Sequence, residues 1–140
     1  MFRLLVLALP LAVFAIPATG VDADHDHDHY MKCAKACDDC GRLCDACAGH
    51  CAKMLAEGKK DHFTTLQTCA DCATACKAAS CIVARQGPFS DLICTACADA
   101  CKRCGDACDK NKSDKMMKEC ADECRKCEKE CREMLKHRPH

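Results

Sequence analysis

The polar and apolar positions of this chain recur at intervals of three and four residues over most of its length. From Cys33 to Cys51 the cysteines follow one another at steps of 4, 3, 4, 3 and 4. At about 100° per residue, these positions fall on one helical stripe roughly 80° wide. A strand would scatter them over both faces. The pattern therefore predicts an amphipathic helix whose apolar face is made of cysteine.

Three further segments repeat this spacing, so that the predicted helices cover residues 31–57, 61–85, 90–111 and 113–137. Gly58 and the Gly87-Pro88 pair end the first two helices, and Ser90 and Ser113 are the predicted N-caps of the last two. Short connections are typical of antiparallel neighbours. The sequence thus predicts an all-α fold, an up-and-down antiparallel four-helix bundle with a cysteine-lined core.

The composition makes cysteine the main candidate for the core. The 140 residues include 19 cysteines, while Leu, Ile, Val and Phe are scarce beyond residue 20. Either such a chain is unfolded or cysteine itself fills the core, since a buried neutral thiol behaves as a small hydrophobic group. The formal net charge is zero and only 4% of the residues are aromatic. Nucleic-acid binding, which needs basic and stacking surfaces, is excluded.

The first twenty residues have the pattern of a secretory signal peptide. Arg3 precedes an apolar run from Leu4 to Ala18, and a small-residue site ends at Gly20. The run is too short for a spanning helix, so we expect cleavage after Gly20, no stable membrane insertion, and a periplasmic or extracellular location. Residues 21–31 form a His/Asp-rich leader that we expect to be disordered, with weak affinity for divalent metals. Residues 32–140 are the predicted bundle domain.

The cysteines are the candidate metal ligands. In the second segment the stripe is short, because Ala79 and Val83 continue it, and Cys81 lies five residues beyond Cys76 and off the stripe. The candidates are Cys33, Cys37, Cys40, Cys44, Cys47, Cys51, Cys69, Cys72, Cys76, Cys81, Cys94, Cys97, Cys101, Cys104, Cys108, Cys120, Cys124, Cys127 and Cys131.

Several chemistries suit a cysteine-rich exported chain. A disulfide-stapled structural protein is the usual one, but such folds are loop-rich and the cysteine count here is odd. Structural zinc prefers separate foursomes on turns, although a zinc or heavy-metal buffer stays an alternative. An enzyme is disfavoured, because no strand precedes a CxxC pair and no acid–base pair is visible.

Cu(I) suits the spacing best. It is a soft ion that thiolates select, and cysteines four residues apart present their sulfurs one helical turn apart on one face. Four inward-facing stripes would form a tube of sulfur able to hold many Cu(I) ions, on the order of one per cysteine if the thiolates bridge. The predicted function is sequestration and storage of multiple Cu(I) ions.

The segments CAGHCAKMLAEGKKDH (47–62), CTACADACKRCGDAC (94–108) and CADECRKCEKECREM (120–134) resemble the bacterial copper storage proteins over residues 32–137. The resemblance implies a Cys-lined four-helix bundle that loads Cu(I) into its interior. It also implies that His and Met residues near the end of the first helix line the opening where copper enters. Exported relatives form homotetramers, which we expect here as well, with copper donors and acceptors as partners.

By position, His50 and Met54 match that opening, whereas His62 and Glu57 stand where relatives have methionine. The antiparallel order of helices independently collects further candidates at the same end of the bundle. We therefore take His50, Met54 and His62 as predicted metal-site residues, with Met116 and Met117 as weaker candidates. Met31, Met134 and His137 are predicted to lie at the opposite end in structural roles.

Overall fold

The computed structural model describes residues 22–137, with side chains from residue 27 onward; the predicted signal peptide lies outside these residues. The described chain forms four α-helices: α1 (Asp22–Ala56), α2 (Phe63–Ala84), α3 (Ser90–Cys108) and α4 (Lys115–Met134). Two 3-10 turns, Lys60–His62 and Asp109–Asn111, precede α2 and α4. Within the described residues, no helix is long and apolar enough to cross a membrane.

Contacts between the helices show the up-and-down topology. Each helix packs against the two beside it, in the order α1, α2, α3, α4 and back to α1. Cys33, in the first half of α1, meets Cys131 near the end of α4, whereas Cys44, further along α1, meets Cys120 nearer the start of α4. The two helices therefore run antiparallel, and the predicted all-α four-helix bundle is confirmed.

The first helix begins earlier than its sequence pattern predicts. It starts at Asp22 rather than Met31, so residues 22–31 are helical and the expected disorder of the leader is wrong for this stretch. Two interactions favour the extension: Asp28 pairs with Lys32 one turn away at 2.7 Å, and Tyr30 is buried in the core.

The helix starts differ from the predicted caps. Ser90 is the first residue of α3, and its hydroxyl donates to the Gly87 carbonyl instead of capping. The N-cap of α4 is Asp114 rather than Ser113: its carboxylate accepts from the amides of Met116 and Met117 at 2.9 and 3.3 Å. At the end of α1, Gly58 adopts a φ of +87°, a conformation that favours glycine and ends the helix near the predicted stop.

Candidate metal centre

The core of the bundle is a column of thiols. Eighteen of the 19 cysteines are buried, and all are free thiols. Thiols of α1 contact thiols of α3 across the diagonal of the bundle, and the pairs follow one another in sequence order along both helices. The Sγ–Sγ distances are 3.5 Å for Cys33–Cys94, 3.8 Å for Cys40–Cys101 and 3.9 Å for Cys44–Cys104. Because the helical repeat places each stripe inward, the predicted cysteine-lined core is confirmed.

The column contains successive groups of four sulfurs that lie within 4.8 Å of one another. Each group draws on two or more helices, and neighbouring groups share members, so a thiolate can bridge between sites. The groups include Cys37, Cys97, Cys127 and Cys131; Cys40, Cys72, Cys76 and Cys101; Cys40, Cys44, Cys72 and Cys124; Cys44, Cys104, Cys120 and Cys124; and Cys47, Cys69, Cys108 and Cys120.

Cys81 does not join the column. It is exposed on α2, whereas Cys76 on the same helix is fully buried. The five-residue step rotates Cys81 out of the inward stripe, which Ala79 and Val83 occupy instead, both 0% exposed. The prediction that Cys81 is one of the core metal ligands is therefore wrong.

One end of the column, which we call the Tyr30 end, is filled by apolar side chains. Tyr30 is 7% exposed, and Val83 and Met134 are buried beside the last thiols. Met134 thus has the structural role predicted for it, whereas Met31 is exposed. Large apolar groups on three helices close this end to solvent.

The opposite end, the His/Met end, gathers His50, Met54, His62, Met116 and Met117. Met117 is fully buried, and its Sδ accepts from the thiols of Cys51 at 3.6 Å and Cys47 at 3.9 Å. It therefore continues the sulfur column with a thioether. The sequence favours His50 and Met54 over Met117 as metal-site residues, although the position of Met117, three residues before Cys120 on the α4 stripe, indicates an inward side chain.

The other His/Met residues lie further out. Half-buried His50 contacts Asp114 through Nε2 and Oδ2 at 2.7 Å, a partnership that the sequence did not indicate. His62 is buried, with Nδ1 3.1 Å from Asp61 Oδ1. Met54 is half-buried, and Lys59 Nζ lies 3.2 Å from its Sδ.

Contacts between the thiols shift their pKa values in opposite directions. Contacts with Cys104, Cys120 and Cys124 raise the pKa of Cys44. Contacts with Cys104 and Cys108 are the main causes that lower the pKa of Cys120. Near the His/Met end, the bond from Cys104 lowers the pKa of Cys108 to about 5, whereas burial raises that of Cys51.

The fold and the site together define a four-helix bundle of the metal-thiolate class, with soft ligands in place of an apolar core. The sequence profile described as "Copper storage protein" matches residues 26–136. The chain belongs to the copper storage protein family.

Relatives of known structure share the fold. A cytosolic copper storage protein from Streptomyces lividans, loaded with five coppers, is 28% identical with a TM-score of 0.74, covering 81% of this chain and 97% of that chain. A Cu(I)-bound copper storage protein, BsCsp3, is 30% identical with a TM-score of 0.68, covering 76% and 98%. The cysteine-rich protein YhjQ of Bacillus subtilis (strain 168) is 34% identical over 83 residues, 59% of this chain and 74% of its own length.

Proposed function

We propose that this protein sequesters and stores multiple Cu(I) ions on the thiolates of its core, binding copper rather than catalysing a reaction. The overlapping groups of four buried sulfurs carry the proposal, because soft monovalent copper is satisfied by few thiolates and bridging lets neighbouring sites share them. Two similar proteins are copper-loaded, one with five coppers and one with Cu(I).

The deciding experiment is an anaerobic titration of the fully reduced protein with Cu(I) against a competing chelator. We expect tight binding of many equivalents, on the order of one per buried cysteine. Saturation after one or two equivalents of Cu(I) would contradict the storage proposal. Repeating the competition with a zinc chelator and Zn(II) tests the zinc-buffer alternative, which requires tight Zn(II) binding and zinc in the protein as purified.

We propose that copper enters at the His/Met end and leaves through it to acceptors. His50, Met54 and Met117 offer imidazole and thioether sulfur between solvent and the first thiols, whereas Tyr30, Val83 and Met134 block the other end. A double variant, His50→Ala with Met54→Leu, should slow loading several-fold without lowering the final stoichiometry. Equal loading rates would place the route elsewhere.

We propose export and tetramer formation from the sequence alone. The export proposal predicts a mature protein that begins at Val21 and fractionates outside the cytoplasm, measured by N-terminal sequencing of the isolated protein. The tetramer proposal predicts a light-scattering mass of four chains. A mature protein that keeps residues 1–20 in the cytoplasm would remove the first proposal and leave storage intact.

A further inference from the structure

Two histidines from distant parts of the chain meet at the Tyr30 end of the bundle. His29 lies near the start of α1, and His137 follows the end of α4. Their rings stack with centroids 3.7 Å apart and planes within 7°. The thiol column does not use them.

The bundle core holds both histidines in place. Tyr30, next to His29, is 7% exposed, and Met134, one turn before His137, is 1% exposed. The amide of His137 donates to the Met134 carbonyl at 3.0 Å, which continues the helical course past α4. The pairing of the rings therefore follows from packing of the residues beside them.

A carboxylate completes the group. Glu133 Oε1 lies 3.4 Å from His137 Nε2, one helical turn away. Two imidazoles and a carboxylate are ligands for divalent transition metals, and here they lie side by side at one end of the bundle.

We propose that His29, His137 and Glu133 form a second metal site that takes a divalent transition-metal ion, with Cu(II) bound most tightly. Its nitrogen and oxygen ligands are harder than thiolates, so it is selective against the Cu(I) held in the column. A bound ion would join the start of α1 to the chain after α4. Because it would bind the folded state, it would stabilise the bundle.

The test titrates Cu(II) into protein whose thiols have first been filled with Cu(I) under anaerobic conditions, with the Cu(I) stoichiometry measured beforehand. Electron paramagnetic resonance should show nitrogen coupling from two imidazoles. His137→Ala should lose one nitrogen and bind at least about tenfold more weakly, and Glu133→Gln should also weaken binding. The matched control, Glu130→Gln on the same helix as Glu133, should bind Cu(II) as the unsubstituted protein does.

Unchanged Cu(II) affinity in His137→Ala would overturn the proposal, since the leader histidines alone would then account for binding. Absence of Cu(II) binding in the unsubstituted protein would overturn it as well. Circular dichroism of His137→Ala, together with its Cu(I) capacity, separates loss of the site from loss of the fold.

The lysines around the His/Met end differ from those on the sides of the bundle in how many of them form ion pairs. Six exposed lysines surround it: Lys53, Lys59, Lys60, Lys110, Lys112 and Lys115. Within residues 27–137, four of them make no ion pair, namely Lys53, Lys60, Lys110 and Lys112. The lysines on the sides of the bundle are mostly paired, for example Lys32 with Asp28 and Lys118 with Asp122, both at 2.7 Å.

Acidic side chains at this end contact histidine or arginine side chains. Asp114 contacts His50, Asp61 contacts His62, and Asp109 pairs with Arg125 at 2.9 Å. A contact with histidine does not by itself neutralise a carboxylate, so Asp61 and Asp114 count against the unpaired lysines. The four unpaired lysines outnumber these two carboxylates and create a positive local potential, which slows the approach of a cation and steers anions toward the opening.

We infer that copper reaches the His/Met end as an anionic Cu(I)–thiolate complex rather than as the free cation, an inference that rests on the proposed storage function. Two thiolates on Cu⁺ leave a net charge of −1, which the lysines attract. Transfer is ligand exchange without redox change: the protein sulfurs bind Cu(I) as the donor sulfurs leave, and the protein's thiol protons pass to the departing thiolates.

The experiment compares stopped-flow loading from an anionic donor, Cu(I)–glutathione, with loading from a cationic one, Cu(I)–acetonitrile. Replacing Lys53, Lys60, Lys110 and Lys112 by Gln should slow loading from the anionic donor by up to about tenfold at low salt. Loading from the cationic donor should be no slower. The matched control replaces four paired lysines on the sides, Lys35, Lys77, Lys118 and Lys126, and should leave both rates unchanged.

Equal slowing with both donors, or equal rates from the anionic donor in both variants, would overturn the inference. Final copper stoichiometry is measured in the same samples. If that stoichiometry fails to exceed two ions in the unsubstituted protein, the storage proposal itself fails, which is a distinguishable result.

Discussion

The Sδ atom of Met117 lies 3.6 Å from the Sγ of Cys51, where the thiol column meets the His/Met end. Both side chains are fully buried, so a thioether from α4 caps the last thiol of α1. A thioether has no proton to lose and stays neutral, so it can hold Cu(I) more loosely than the thiolates behind it. The contact therefore suits a relay site.

Met117→Leu keeps the side-chain volume and removes the sulfur. We expect less than about 1.5 kcal/mol change in unfolding free energy, together with slower Cu(I) loading. Met134→Leu is the matched control, since Met134 is equally buried at the Tyr30 end. Stopped-flow loading and chemical denaturation measure the two effects. Equal loading rates in the two variants would remove Met117 from the route.

Cys76 and Cys81 share α2 but differ in burial, which allows a paired test of the column. Cys76→Ser should lower the Cu(I) stoichiometry by about one ion, because it removes a sulfur 3.5 Å from Cys101 Sγ. Cys81→Ser should leave the stoichiometry unchanged, because Cys81 is exposed. Mass spectrometry of the loaded proteins gives the counts. An equal loss in both would contradict the assignment.

Loading at acidic pH should depend on Cys108. Cu(I) displaces thiol protons, so its apparent affinity falls as pH falls. The pKa of Cys108 is lowered to about 5, whereas contacts with Cys131 and Cys33 raise the pKa of Cys94, so Cys108 loses its proton more readily than Cys94 does at pH 6. Cys108→Ser should therefore slow the first phase of loading at pH 6 more than Cys94→Ser does. Identical rates would contradict this.

Copper should protect the thiols from oxidation. The closest approaches between adjacent helices include 3.6 Å for Cys76–Cys97 and 3.8 Å for Cys44–Cys120, so a disulfide of about 2.05 Å needs some backbone movement but no sulfur from another molecule. In air, the copper-free protein should lose free thiols, measured with a thiol reagent in denaturant, while protein preloaded anaerobically with Cu(I) should keep them after the metal is removed. Equal losses would argue against protection.

Asp114 should stabilise the bundle in a pH-dependent way. Burial alone would raise its pKa, but bonds from His50 and from the amides of Met117 and Met116 hold it below its ordinary value of 3.8. The contribution is therefore present above that value and is lost as pH falls through the lowered pKa. Asp114→Ala should cost about 1 kcal/mol at pH 7 and less near pH 3.

Ser113→Ala is the matched control for Asp114→Ala, because Ser113 was the predicted N-cap and the structure assigns that role to its neighbour. Urea denaturation at several pH values should show a near-neutral effect for Ser113→Ala. A cost equal to that of Asp114→Ala would contradict the observed cap.

Much of the fold and site could be predicted because helical periodicity is local. Steps of three and four residues assign Cys33 to Cys51 to one face without knowledge of any partner, and the five-residue step to Cys81 already marks that residue as off the face. Short connections then determine which helix ends lie together at one end of the bundle. This predicts that His50, near the end of α1, lies close to Met117, near the start of α4.

The sequence by itself determined that the chain forms four helices with inward cysteine faces and that His50, Met54, His62, Met116 and Met117 share one end. Only the tertiary structure decided that Cys40 meets Cys101 across the diagonal, that Asp114 holds His50, and that His29 stacks on His137. The physical reason is that periodicity defines a face but not the axial register between helices. Register follows from the sum of many contacts, and a stripe of identical small thiols favours no particular pairing until all four helices pack together.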